Sequence, residues 1–216
     1  MTFDAIIFDM DGLLINSEDI WYEADKFFEK RNILLTDEIQ HALMGKSFHQ
    51  SAAWLKERYL LSESVEEIIA ERQRDTDGIY THLARPLPGV QELLERLSQT
   101  DIPLAIGSGS SLRRIEEIVD RFDWRKYFEV LASSEHVEYK GKPDPDIFLY
   151  AADRLGKIPE TCVVLEDSIN GVTAAKLAGM SCIAVPAPQA KKEDFVAADI
   201  IVPSLQEPAV YSFLGI

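Results

Sequence analysis

The sequence predicts an α/β protein: a doubly wound parallel sheet that carries an all-helical insert close to its start. Three observations predict it. Short apolar runs rich in Ile, Val, Ala and Leu recur along the chain, and they are continuous rather than alternating, as suits strands covered on both faces. From residue 88 onward these runs alternate with segments of helical spacing, which implies right-handed crossovers. Between residues 17 and 84 the alternation stops and only helical patterns are found.

In chain order, the first strand is predicted over residues 5–8. Helices are predicted over 17–31, 36–43, 48–59 and 64–82. The return segment Arg85-Pro86-Leu87-Pro88-Gly89 is rich in breakers and reads as a stiff hinge. Val90, Leu93, Leu94 and Leu97 then form an apolar stripe before a strand at 103–107, and Leu112, Ile115, Ile118 and Val119 form another before a strand at 130–132. A third stripe, Ile147, Phe148, Ala151 and Leu155, precedes strands at 162–165 and 182–185, with a weaker one at 199–202. This divides the chain into a core of residues 1–16 and 85–216 and a helical domain of residues 17–84. An insert hinged at the carboxyl edge of a parallel sheet sits where α/β proteins bind ligands, and it can serve as a lid.

Composition narrows the partners. A chain of 216 residues is one large domain or a core with a smaller insert, at roughly 150 residues per domain. The 22 Lys and Arg residues against 37 Asp and Glu give a net charge of −15, and so negative a surface repels phosphate backbones and anionic headgroups. Neither nucleic acid nor a membrane is expected as a partner, and no apolar run reaches the roughly 18 residues of a membrane span. A phosphorylated substrate needs a local positive feature that overcomes this field. Cys162 and Cys182 each lie in an apolar run and read as buried free thiols. The start, Met-Thr-Phe-Asp, lacks the basic stretch of a signal peptide, so a cytoplasmic protein is expected.

The chemistry gathers in four loops. The first strand runs into Asp9-Met10-Asp11-Gly12; an extended path would put both carboxylates on one face, and Gly12 permits the sharp turn that follows. Two such carboxylates repel by about 1 kcal/mol at 4 Å in water and about 4 at an effective dielectric of 20, so a cation or a shared proton is called for. An EF-hand loop would need further acids at alternate positions, but Leu13, Leu14 and Ile15 follow. A later strand ends in Glu166-Asp167, which either meets the first pair at the shared edge or caps the next helix with Ser168. Oxygen ligands without His or Cys suit Mg²⁺. Ser108-Gly109-Ser110-Ser111 precedes a helix and reads as an anion site or as an ordinary Ser N-cap. Lys140-Gly141-Lys142-Pro143-Asp144-Pro145 supplies a lysine that either neutralises the acids, holds a phosphoryl oxygen, or lies in a solvated loop.

Taken in this order, the loops resemble the haloacid dehalogenase superfamily of phosphotransferases, and the resemblance spans nearly the whole chain. Its four motifs look like Asp9-Met10-Asp11-Gly12, Ser108, Lys142 and Glu166-Asp167, and the insert is similar to the family's small C1-type helical cap. The match is closest to the β-phosphoglucomutase and sugar-phosphate phosphatase group, through Asp11-Gly12-Leu13-Leu14, Ser17-Glu18, Gly141-Lys142-Pro143-Asp144-Pro145 and Leu165-Glu166-Asp167-Ser168. The resemblance implies Asp9 as nucleophile forming an aspartyl phosphate and Asp11 as acid and base. It implies Mg²⁺ held by Asp9, the backbone carbonyl of Asp11, Asp167 and Glu166, directly or through water. Ser108, the N–H groups of Gly109 and Ser110, and Lys142 are then expected on the phosphoryl oxygens.

Mutases of the related group look to have a His soon after the first motif and a Lys and Arg in the cap. Here those stretches read Glu18-Asp19-Ile20-Trp21 and Met44-Gly45-Lys46-Ser47-Phe48, leaving Lys46 alone to reach the substrate. Hydrolysis of a small sugar or sugar-alcohol monophosphate is therefore expected, by a monomer whose lid moves freely, with a phosphomutase as the alternative. Trp21 and Phe48 can line the lid pocket or pack in a helical core. A receiver-like module with a phosphorylated Asp uses a similar set of residues but has no helical cap.

Overall fold

The computed structural model describes residues 3–17, 26–43, 46–78 and 82–216. Its centre is a six-stranded sheet of β1 (Ala5–Phe8), β2 (Leu104–Ser108), β3 (Val130–Ser133), β4 (Cys162–Glu166), β5 (Ser181–Ala184) and β6 (Ile200–Ile201). The order is β3-β2-β1-β4-β5-β6, and every paired neighbour is parallel. The chain thus starts in the middle, builds outward through β2 and β3, then crosses β1 to build the other half, which puts the switch in strand order beside β1.

The pleat explains the continuous apolar runs. Along β1, Ile6 and Phe8 join one buried cluster while Ala5 and Ile7 join the other. The first cluster is completed by α5 (Val90–Leu97), α6 (Leu112–Arg121) and α9 (Pro208–Leu214), the second by α7 (Asp146–Arg154) and α8 (Ile169–Leu177). The three predicted stripes are the buried faces of α5, α6 and α7. Both cysteines are free and buried, and burial pushes their thiols up, Cys162 to about 11, so they remain protonated and apolar in character.

The insert is helical throughout its described length: α1 (Phe27–Lys30), α2 (Asp37–Leu43), α3 (Phe48–Tyr59) and α4 (Val65–Gly78). Phe27, Phe28, Ile39, Ala52, Leu55 and Ile68 form its own apolar cluster. Arg31 bridges Glu63 and Glu71, and Lys30 pairs with Glu71 and Asp75. Helices α3 and α4 both start in capping boxes, Ser47 with Gln50 and Ser64 with Glu67. The insert is carried on two chain crossings that pair antiparallel: Ile15 opposes Pro86, Asn16 exchanges hydrogen bonds with Arg85, and Leu87 N–H donates to the Leu14 carbonyl.

Several boundaries differ from the sequence expectation. β2 begins at Leu104 because Pro103 has no N–H to offer, only a carbonyl that accepts from Ile6, and it extends to Ser108, which pairs with Ser133 of β3. β5 lies one residue earlier than expected, and β6 keeps only two residues. The predicted helix over 17–31 closes at Lys30, with Asn32 at φ 52°; its stretch over 18–25 lies outside the described residues, as do 79–81 of the helix expected over 64–82. Helix α9 had no counterpart in the expectation, although Pro208 at its start and Gly215 at φ 77° after its end are ordinary start and stop signals.

Phe8 is fully buried, edge-on to Phe128 at 5.8 Å, and directly precedes Asp9. Phe8→Ala is expected to cost about 3–5 kcal/mol, read as a lower midpoint with an unchanged slope in chemical denaturation. A loss under about 1 kcal/mol would mean that the sheet core is not packed as described.

Candidate active site

Register, not sequence proximity, assembles the site. Phe8 pairs with Ile106 on one side and Leu165 on the other, so one step further along the sheet Asp9, Gly107 and Glu166 emerge at one level of the carboxyl edge. Carboxylate oxygens of Asp9, Glu166 and Asp167 lie within 4.8 Å of one another, and all three residues are buried. Lys142, 2% exposed, comes from the loop before α7; its Nζ donates to Asp9 Oδ1 and Glu166 Oε1 and sits 4.9 Å from the Phe148 ring centre. Of the alternatives left open for Lys142, the structure excludes a solvated loop and places the ammonium directly on two of the acids, because a buried ammonium takes the nearest opposite charge.

The charges do not cancel, since three buried carboxylates share one ammonium. Burial pushes the Asp9 carboxyl up to about 8; Lys142 opposes that rise, while Glu166 and Asp11 add to it. For Lys142, burial works against the charged form, but Asp9 and Glu166 together outweigh it and hold its pKa above the usual value. An uncompensated, buried, oxygen-only donor set fits a hard divalent cation such as Mg²⁺. Within that set the roles differ. Glu166 is occupied on both oxygens: Oε1 accepts from Lys142, and Oε2 accepts from the Ser168 N–H at 2.8 Å and the Ser168 hydroxyl at 3.0 Å.

Asp11 stands outside the three-carboxylate group. Its Oδ1 accepts from the Ser17 hydroxyl at 2.6 Å, and its Oδ2 accepts from the hydroxyls of Ser110 at 2.7 Å and Ser108 at 3.5 Å. The serines after β2 are therefore not a helix cap: Ser111 holds the N-cap place of α6 with no side-chain cap bond. Ser110 N–H, expected on a phosphoryl oxygen, donates instead to the Ser108 hydroxyl at 3.1 Å, and the Gly109 carbonyl accepts from Ser134. Lys46 brings the insert over this loop, its carbonyl oxygen 3.5 Å from where a Cβ on Gly109 would lie. Glu18, Asp19, Ile20, Trp21, Met44 and Gly45 lie outside the described residues.

Ser17 and Ser110 were singled out in the sequence, but not as the hydroxyls that hold the Asp11 carboxylate. Two further contributors were missed. Gln50 ties α3 to the loop before Lys142 through the Gly141 carbonyl. Gly171, in the first turn of α8, is the most constrained: a Cβ there would lie 1.8 Å from the Glu166 carboxyl. Its signal was legible, since a Gly three residues after an N-cap Ser costs helix stability unless something presses against it.

A family model described as haloacid dehalogenase-like hydrolase matches residues 3–179. Hexitol phosphatase B of Escherichia coli (strain K12) is 34% identical over 215 residues, covering 98% of this chain and 96% of that protein. The phosphorylated carbohydrates phosphatase of Thermotoga maritima is 34% identical over 181 residues, 83% of each chain. The crystal structure of CbbY from Rhodobacter sphaeroides in complex with phosphate superposes with a TM-score of 0.82 at 27% identity, over 95% of this chain and 96% of that one.

Mg²⁺ at a hundredfold excess over its dissociation constant is expected to stabilise the fold by about 3 kcal/mol, a rise of roughly 5–10 °C in Tm relative to chelator. Gly171→Ala, which displaces Glu166, is expected to remove most of that rise. Equal Tm values with Mg²⁺ and with chelator would exclude the three-carboxylate group as a metal site.

Proposed function

The chain belongs to the haloacid dehalogenase-like hydrolase family, and from that premise we propose that it hydrolyses a small sugar or sugar-alcohol monophosphate through an aspartyl phosphate on Asp9. One observation carries the reading: Asp9, Glu166, Asp167 and Lys142 converge in a buried cluster at the switch point of the sheet, with Asp11 held beside it by serine hydroxyls. The carbohydrate class is supported by the two curated relatives, each named as a phosphatase of hexitols or of phosphorylated carbohydrates.

In this mechanism Asp9 attacks phosphorus in line as the bond to the sugar oxygen breaks, and Asp11, protonated, gives its proton to the leaving alkoxide. Water then attacks the phosphorus of the aspartyl phosphate and gives a proton to Asp11, the bond from phosphorus to the Asp9 oxygen breaks, and inorganic phosphate is released with Asp9 as a free carboxylate. The hydroxyls of Ser17 and Ser110 orient Asp11 for both transfers. Ser108, the Gly109 N–H and Lys142 hold the phosphoryl oxygens, and Lys142 also offsets the charge around Asp9. Asp9, Asp167 and the Asp11 carbonyl, with Glu166 directly or through water, would hold Mg²⁺, which when bound would neutralise charge on the transferring group.

Residues 17–84 serve as the cap over this site, and Lys46 contacts the sugar from it. A single phosphate is favoured over a bisphosphate because Arg114, a buried core cation that meets the insert, is already engaged there. Arg114 lies 4.5 Å from the Phe48 ring, but its guanidinium is engaged by Thr76 at 2.7 Å, the Gln73 carbonyl at 3.4 Å and Asp77 at 3.5 Å. The enzyme is proposed to act as a monomer in the cytoplasm. The free buried thiols suit a reducing compartment, and no helix among the described residues is long and apolar enough to cross a membrane.

The test is inorganic phosphate release from a panel of hexitol, sugar and nucleotide monophosphates, with Mg²⁺ and with chelator. Hexitol or sugar phosphates are expected to be the fastest, with activity lost on chelation. Asp9→Asn is expected to reduce kcat by about 10⁴-fold or more while the protein stays folded by circular dichroism. Near-normal turnover by Asp9→Asn would overturn the assignment.

A further inference from the structure

The first turn of α3 touches the two core loops that build the site. Lys46 overlies Gly109, and the stretch from Ser47 to Gln50 packs on residues 139–141, which lead directly into Lys142. In that second contact one side chain does two jobs. Gln50 Oε1 accepts the Ser47 N–H at 3.0 Å and closes the capping box, while Gln50 Nε2 donates to the Gly141 carbonyl at 3.0 Å. Around it, the Ser47 hydroxyl lies 3.5 Å from the Tyr139 carbonyl, and the His49 ring stacks on Tyr139 at 5.2 Å. The fit is close, because a Cβ on Gly141 would stand 2.3 Å from Gln50 Oε1. The core loop turns sharply here, with Glu138 at φ 51° and Tyr139 at φ 60°, and the contacts with α3 add to its own bonds from Tyr139 N–H to the Ser134 carbonyl and from Lys140 N–H to the Val137 carbonyl.

We propose that Gln50 is a positioning residue: its amide nitrogen, by holding the Gly141 carbonyl, sets where the adjacent Lys142 presents its ammonium to Asp9 and to the phosphoryl group. The proposal rests on the phosphatase reading above and adds a residue of the helical insert that acts on the chemistry without touching the substrate. Placement of Lys142 is then right only when α3 is docked, so the reaction is coupled to the seating of the insert over the site. Lys142 interacts with the transferring group rather than with the sugar, so loosening it lowers kcat more than it raises KM.

The two halves of the amide can be separated. Gln50→Glu keeps an oxygen for the Ser47 N–H, and Glu serves a capping box as well as Gln does, but it turns the donor facing Gly141 into an acceptor. Gln50→Met removes both functions at similar length. Steady-state kinetics on the fastest ester of the panel, with Tm measured alongside, are expected to show kcat of Gln50→Glu reduced by about 10- to 100-fold, KM within about threefold of wild type, and Tm unchanged. Gln50→Met is expected to match that loss of kcat and to lose Tm as well. Wild-type kcat in Gln50→Glu overturns the proposal, and so does a loss of kcat that appears only together with a lower Tm. Wild-type protein that turns over nothing in the panel sinks the phosphatase reading instead, before any variant is compared.

Discussion

The structure depends on a concentration of acidic groups that no surface would need to tolerate: Asp9, Glu166 and Asp167 packed together out of water, with Lys142 bonded to the first two. Removing one member of such a set leaves an uncompensated charge in a poorly polarisable interior, which is why buried pairs are costly to break even when they add little net stability. The surroundings are built to carry it. Ser168 gives both its N–H and its hydroxyl to Glu166 and still caps α8 by accepting from Gly171, and Gly171 leaves room for the carboxyl by having no side chain. Three consecutive features of one strand-to-helix turn therefore serve a single carboxylate.

The same charge surplus resolves an apparent conflict with the overall charge of −15. A chain so negative repels a phosphate ester at long range, yet the hydrolytic site needs that ester within bonding distance. In the proposed mechanism the field that matters at contact is local: Lys142, the Gly109 N–H, and the hard cation that the three carboxylates would hold. Screening limits the reach of the exposed acids to about 8–10 Å at ordinary salt, while the buried charges act unscreened at close range.

The core strands, three of the buried helix faces and the acidic pairs could be read from the sequence because each carries a short-range signal. Continuous apolar runs mark strands covered on both faces, and carboxylates at their ends mark the edge. What escaped was set by three-dimensional neighbours. Asp11 was legible as a second acid, but that its carboxylate is taken up by the hydroxyls of Ser17 and Ser110 depends on residues 6 and 99 positions away. Lys142 was legible as a lysine for the acids or for a phosphoryl oxygen; which carboxylates it meets, Asp9 and Glu166, is decided by how the loop before α7 folds. Helix α9 was missed because its segment is only seven residues long, although Val210, Tyr211 and Leu214 close one face of the core.

The paired crossings at Asn16 and Arg85 carry a consequence for how such proteins diversify. Because those two residues hydrogen-bond to each other, the excursion between them begins and ends at one place on the core. The chain-entropy cost of lengthening a flexible loop within it grows by only about 0.6 kcal/mol for each doubling. Loops within the excursion can be lengthened or trimmed at little thermodynamic expense, whereas Ser17 at its start and the first turn of α3 reach the site and must be kept if Asp11 and Lys142 are to stay in place.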